Sequence, residues 1–193
     1  MLSSNKENYF YFGHMDNHHL RFPIGEFKAP ASYDEASRQK CIRIIANFPQ
    51  KVRELSESAN SQQLRSKYRP DGWTFSQVVH HCADSHMQSI TRFKLALTEE
   101  NPTIRPYLED KWAELSDGDE FDLSPSIKML EGIHTRWVHV LNNMSNADFD
   151  RTFYHPEMQR SVSLNESLEI YAWHCQHHYA HLELAIESNG KNN

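Results

Sequence analysis

Several common signatures are missing from this sequence, and each absence removes a class of function. The three cysteines, Cys41, Cys82 and Cys175, form no CxxC pair and leave an odd one over. That excludes a disulfide frame and fits free thiols in a reducing cytoplasm. No apolar run approaches the roughly 18 residues that a membrane span needs, and the opening MLSSNKENYF lacks the basic end and apolar stretch of a secretory signal. Positive charge is in deficit: 20 Lys and Arg against 26 Asp and Glu, a net charge of −6. Nucleic acid and anionic membrane select basic faces, so neither is expected as a partner. There is no GxSxG elbow, phosphate-cradling glycine loop, CxxC…CxxC set, internal repeat or low-complexity tract.

What remains is the pattern of a helical domain. At 193 residues, 38% of them hydrophobic, the chain allows one domain with a narrow core, as in a bundle of amphipathic helices. Residues 1–19 are polar and aromatic without a period and are set apart as an N-terminal tail. Within it, ENYFYFGHM looks like a protease site with a cloning scar, and equally like native sequence ahead of an internal start at Met15. Residues 20–193 form the expected domain.

Four helices and no strand are predicted. The first follows SYDE, where Ser32 and Glu35 match a capping box; Cys41, Ile45, Phe48, Val52 and Leu55 recur every three or four positions. Pro49 inside that pattern predicts a kink or a division. The second opens at TFSQ, with Thr74 as cap and Gln77 reaching back, and runs to about Thr98. Glu99 to Leu123 carries Pro102, Pro106 and an acidic SDGDEFD stretch, a long connection of the kind that often bears function. The third starts at Ser124-Pro125, a cap followed by proline, and turns Ile127, Leu130, His134, Trp137, Leu141 and Met144 inward. The fourth starts at SLNE, where Ser163 and Glu166 match a second capping box, and stops near Gly190. Its stripe is Leu164, Leu168, Tyr171, His174, His178, His181 and Ala185. The expected fold is all-α, a four-helix bundle with a long connection between helices two and three. Because the loops are unequal, a simple up-down-up-down order does not follow.

The fourth stripe contains a chemical oddity. His174 and His178 are four residues apart, so their rings lie one turn apart on the inward face. Two imidazoles at that spacing can share a metal, as on HExxH helices, but Cys-Gln-His stands between them and the protease glutamate is absent. A lone buried histidine is usually a hydrogen-bonded core residue, so a metal reading needs a third ligand from elsewhere. Helix two supplies VVHHCADSHM. His80 and His81 point about 100° apart, and periodicity does not choose between them: Val78, His81, Ser85 and Gln88 make one line, Phe75, Val79, Cys82 and His86 another. Asp84, three residues after His81, is placed to receive a ring N–H from it. His177 falls on a neighbouring face and is not expected to ligate. Cys82 and Cys175 sit about a quarter turn off the metal face and read as small core residues. His134 reads as core before cavity lining.

RPDGWTFSQVVHHCADSHMQS, RFKLALTEENPTIRPYLEDKWAEL and YAWHCQHHYAH resemble the YfiT-like branch of the DinB superfamily, and LRFPIGEF resembles that branch's N-terminal signature. The resemblance covers about Leu20 to Gly190. It implies a DinB-like four-helix bundle, usually a homodimer, with a three-histidine site for a divalent metal such as zinc or nickel. Laid on this chain, the ligands are His81, His174 and His178, which decides for His81 over His80. Members are described as metal-dependent hydrolases. Related proteins are thiol S-transferases that use bacillithiol, mycothiol or glutathione, so the substrate is expected to be a small molecule. A departure is Gln88, where close relatives are expected to carry asparagine. Three imidazoles leave one coordination position for water or substrate and leave the metal its full double charge. Such a charge activates water or a thiol alike. Asp84 and His181 are the candidates for supporting roles, with Tyr107, Glu109 and Trp112 as a lid from the long connection. A non-catalytic metal-binding dimer module is the expectation of a different class.

Overall fold

Asp34 starts the first long helix. The structure, a computed structural model, describes residues 17–190; the expected N-terminal tail therefore lies outside the described residues except for its last three. A short helix α1 (His18–Arg21) precedes α2 (Glu35–Ser58). The cap of α2 is Asp34, which accepts from the Ser37 N–H at 2.7 Å, while Ser37 Oγ accepts from the Asp34 N–H at 3.2 Å. The expected Ser32/Glu35 box is thus shifted by two residues. Asp at the cap leaves Glu35 in the first turn, where its charge suits the helix dipole.

Pro49 does not divide α2, which runs unbroken through it. Proline removes the N–H that would bond the carbonyl four residues earlier, here Ile45. That carbonyl is instead taken by His134 Nδ1 from a neighbouring helix at 2.6 Å, so the interior is left with no orphan acceptor there.

After the short α3 (Ser61–Leu64), α4 (Phe75–Thr98) opens as expected. Thr74 Oγ1 accepts from Gln77 N–H at 3.2 Å and Gln77 Oε1 from Thr74 N–H at 3.0 Å. The Gln77 amide also donates to Ala113 O at 2.9 Å. That bond fastens α5 (Glu109–Ala113), the one-turn helix of the long connection, over the start of α4. The next helix, α6 (Ser124–Asn142), is capped by Leu123 rather than Ser124; Asp122 accepts the Ser124 N–H at 3.0 Å.

A short α7 (Asn146–Phe149) leads into a hairpin that was not expected: β1 (Thr152–His155) pairs antiparallel with β2 (Arg160–Ser163), Phe153 opposite Val162. Both of those residues are buried, so the pair packs one face inward. Tyr154 ties the hairpin to the long connection, its carbonyl accepting from Ile104 N–H and its N–H donating to Pro102 O. The last helix, α8 (Leu164–Gly190), has half of its expected box: Ser163 Oγ accepts from Glu166 N–H at 3.1 Å, but the Glu166 carboxylate grips Arg160 instead. A full guanidinium attracts the carboxylate more strongly than one amide does.

The two helices α2 and α4 each pack on both α6 and α8. The first and second long helices therefore stand on one diagonal and the third and fourth on the other, unlike a sequential up-and-down bundle. Ile45, Phe48, Phe75, Phe93, Leu130, Trp137, Leu141, Leu168 and Leu182 fill the centre. Each such side chain contributes roughly 1.5–3 kcal/mol of burial, so this core outweighs any single cap. Among the described residues, no helix is long and apolar enough to cross a membrane.

Candidate metal centre

His174 and His178 lie a turn apart on α8, and α4 brings His81 against them. One ligand nitrogen from each of the three lies within 4.8 Å of the others. The Nε2 atoms of His81 and His174 are 3.3 Å apart. Two imidazoles bound tetrahedrally at ordinary zinc–nitrogen lengths would stand about 3.3 Å apart, so the pair fits a shared cation. Burial holds all three rings neutral: His81 is pushed down to about 3, and His174 and His178 fall well below the usual imidazole value. Neutral imidazole is the ligating form.

His80 is turned away, with Nδ1 on Ser126 Oγ at 2.8 Å and Nε2 on the Glu120 carbonyl at 3.0 Å. His181 sends its Nε2–H to the Arg21 carbonyl at 3.2 Å. Its Nδ1 then accepts from His178 Nδ1–H at 3.4 Å, which leaves His178 Nε2 as a bare lone pair. His181 also stacks on Tyr68, ring centres 3.9 Å apart.

The three nitrogens border a cavity of about 380 Å³. Its walls are aromatic, with Phe22, Tyr68, Trp73 and Trp173, and they carry the charges of Arg21, Arg69, Asp71, Glu109 and Asp110. Asp71, Glu109 and Asp110 are exposed, so the cavity reaches the surface there. Trp73 packs on His81 with ring centres 4.6 Å apart.

The sequence profile of the DinB superfamily matches residues 45–182. This chain belongs to the DinB superfamily. It is 43% identical over 168 residues to "Putative metal-dependent hydrolase YfiT" of Bacillus subtilis (strain 168), spanning 87% of this chain and 94% of that one. A protein of Bacillus mycoides (strain KBAB4) with the same descriptive name is 44% identical over 163 residues, 84% of this chain and 93% of the relative. The solved structure of Bacillus subtilis YfiT superposes with a TM-score of 0.86 at 42% identity, covering 89% of this chain and 98% of that chain, and is described as having an unusual four-helix bundle topology.

Within this DinB bundle some expectations change. Asp84 does not bond His81 among the described residues. It lies between Asp117 and His80 in a smaller neighbouring cavity, where burial pushes its carboxyl up to about 6. The α4 turn aims Asp84 along the His80 side, so three-residue spacing alone misplaces it. His177, expected on a neighbouring face and not as a ligand, is buried on the cavity wall, stacked on Trp173 at 4.3 Å, with no partner for Nδ1 among the described residues. Its ligand nitrogen, with those of His178 and His181, makes a second group within 4.8 Å. His178 is common to both groups, and filling the second through Nδ1 of His178 and His181 would break the bond that Arg21 anchors.

Glu109 lines both cavities, and Tyr107 and Trp112 line the smaller one beside His81, so the expected lid segment does stand at the histidines. Gln88 lines neither. Cys82 and Cys175 are buried, free and outside both histidine groups. The residues that sequence reasoning missed are Tyr68, Trp73 and Trp173 on the wall, Arg21 and Phe22 from the stretch read only as a family signature, and His86. The last had a signal: it and His134 are both histidines on apolar stripes, and buried imidazoles seek one another when nothing else can satisfy them.

Proposed function

We propose that this chain is a metal-dependent hydrolase of the YfiT type that holds a divalent cation on Nε2 of His81, His174 and His178. The observation that carries the reading is the convergence of three neutral imidazoles at the floor of an aromatic cavity open to the surface. An all-imidazole donor set suits zinc or nickel. When bound, such a cation supplies Lewis-acid charge and lowers the pKa of a coordinated acid toward neutrality. Because the three ligands are uncharged, none of that charge is cancelled. Trp73, Trp173 and Tyr68 give a small organic substrate apolar surface beside the three nitrogens. Arg21 and Arg69 put positive charge on the same wall, and we assign proton transfer to Glu109, the carboxylate that lines this cavity and the neighbouring one.

Thiol S-transfer is the second reading, because the same uncancelled charge favours a thiolate and the cavity opens to the surface, where a low-molecular-weight thiol, bacillithiol among them, can enter. A homodimer in a reducing cytoplasm completes the proposal. A non-catalytic metal-binding module would need the cavity mouth closed, and the exposed rim at Asp71 and Asp110 argues against that.

The test is elemental analysis of the purified protein, followed by ester and amide hydrolysis and by conjugation of monochlorobimane with a panel of thiols. Each assay is run metal-loaded and after chelation. Chelator-sensitive hydrolysis is expected. Thiol conjugation without hydrolysis selects the second reading. Bound metal with neither activity selects the module.

A further inference from the structure

The candidate ligand His174 is the end of a chain of imidazoles that crosses the whole bundle. Its Nδ1 lies 3.1 Å from His86 Nε2 on α4. His86 Nδ1 lies 2.7 Å from His134 Nε2 on α6. His134 Nδ1 lies 2.6 Å from the Ile45 carbonyl on α2. Each link joins two helices that pack directly: α8 on α4, α4 on α6, α6 on α2.

The direction of every bond follows from the last one. A carbonyl only accepts, so His134 Nδ1 carries the hydrogen and its Nε2 carries a lone pair. His86 must then donate from Nδ1, which leaves its own Nε2 bare. His174 must donate from Nδ1, which leaves its Nε2 bare, and that is the atom facing His81 Nε2. The anchor exists because Pro49 has no N–H for the Ile45 carbonyl. His86 is fully buried and His134 nearly so, so the chain of links runs through the core. Phe48, Trp137 and Tyr171 pack around the two rings.

We infer that His86 and His134 are positioning residues that hold His174 in its metal-ready tautomer, Nδ1–H with Nε2 free. Removing the His134 ring leaves His86 Nδ1–H without an acceptor. His86 is then free to move its proton to Nε2. That proton meets His174 Nδ1, turns it into an acceptor and sends the His174 proton onto Nε2, the ligand atom. A substitution two rings from the centre therefore reaches it through hydrogen-bond polarity alone. The last link rests on the three-histidine reading of the site; the tautomers themselves do not.

The test is long-range ¹H–¹⁵N correlation of histidine-labelled, metal-free protein, with zinc affinity measured by competition against a chromophoric chelator. In the unsubstituted protein His174, His86 and His134 are all expected as Nδ1–H; His174 found as Nε2–H overturns the inference with no variant needed. In His134→Leu the His174 signal is expected to shift toward Nε2–H and zinc binding to weaken about 10–100-fold. His134→Gln, whose amide can accept from His86 and donate to Ile45, is expected to restore both. An unchanged His174 tautomer and affinity in folded His134→Leu overturns it. Expected tautomers with no zinc bound would sink the metal reading and leave the relay standing; zinc bound with other tautomers would do the reverse.

Discussion

His81 and His174, 93 residues apart in sequence, place their Nε2 atoms 3.3 Å from each other. Without a cation His81 Nε2–H can donate across that gap to the bare His174 Nε2; with one, both nitrogens turn lone pairs to it, and that exchange is the basis of the first prediction. Ala at 81, 174 or 178 should weaken metal binding by more than about 100-fold, since even outer partners of a ligand are worth about 10–100-fold. His177→Ala should change it by no more than about threefold. Equal losses at 177 and 178 would favour the group formed by His177, His178 and His181, and elemental analysis with chelator competition separates the cases.

His181 meets the centre through His178. In His181→Phe the ring can still stack on Tyr68, but the bond from His178 Nδ1–H loses its acceptor. Metal affinity should fall about tenfold with little loss of folding stability. Isothermal titration with zinc beside a urea melt reads both, and an unaltered affinity would remove His181 from its supporting role.

The metal-free protein should lose stability on acidification. His134 and His181 are each pushed down to about 4 in the fold from 6.5, chiefly by burial. A histidine with a lower pKa folded than unfolded binds fewer protons in the native state, so stability rises with pH across that window. The contribution of these two rings should be complete above about pH 7 and be lost as pH drops from 6.5 through 4, on the order of a few kcal/mol in all, outweighing the smaller opposite gain from Asp84 below about pH 6. Urea midpoints at stepped pH check this; a midpoint rising toward pH 5 would contradict buried neutral rings.

Far from the histidines, Arg38 is buried on α2 and donates to Asn165 on α8 at 3.1 Å and to Asn146 on α7 at 2.6 Å. Asn165 in turn donates to Asp150 at 3.0 Å. Arg38→Ala strands these amides and should cost about 2–4 kcal/mol. Zinc affinity should not change, because Asn165 lies about 13 Å along the helix from His174. A chemical denaturation curve and a zinc titration on one preparation suffice.

Glu109 is the carboxylate common to both cavities. If it moves a proton in hydrolysis, Glu109→Gln should lower kcat about 100-fold with metal content intact. A loss confined to KM would make it a contact for substrate instead.

Much of the fold was legible because it is local. Thr74 and Gln77 announce the start of α4, and the stripe from Ile127 to Leu141 describes a helix face whichever neighbour covers it. The hairpin escaped because two four-residue strands carry too few alternations to register, and their stability comes from Phe153 and Val162 meeting the core. The caps at Asp34 and Leu123 slipped by one or two positions since several neighbouring residues can serve there and tertiary contacts choose among them. Pro49 was read as a kink or a division because the donor that compensates for it, His134, comes from another helix.

By itself, the amino-acid order determined that four amphipathic helices form and that His174 and His178 share one face, since helical pitch alone puts residues four apart in line. Only the tertiary structure decided that Asp84 would look elsewhere and that His86 and His134 would join a ligand to a carbonyl on the far helix. Those relations depend on how the helices are rotated against one another. That rotation is set by the summed packing of the whole core and is written in no single segment.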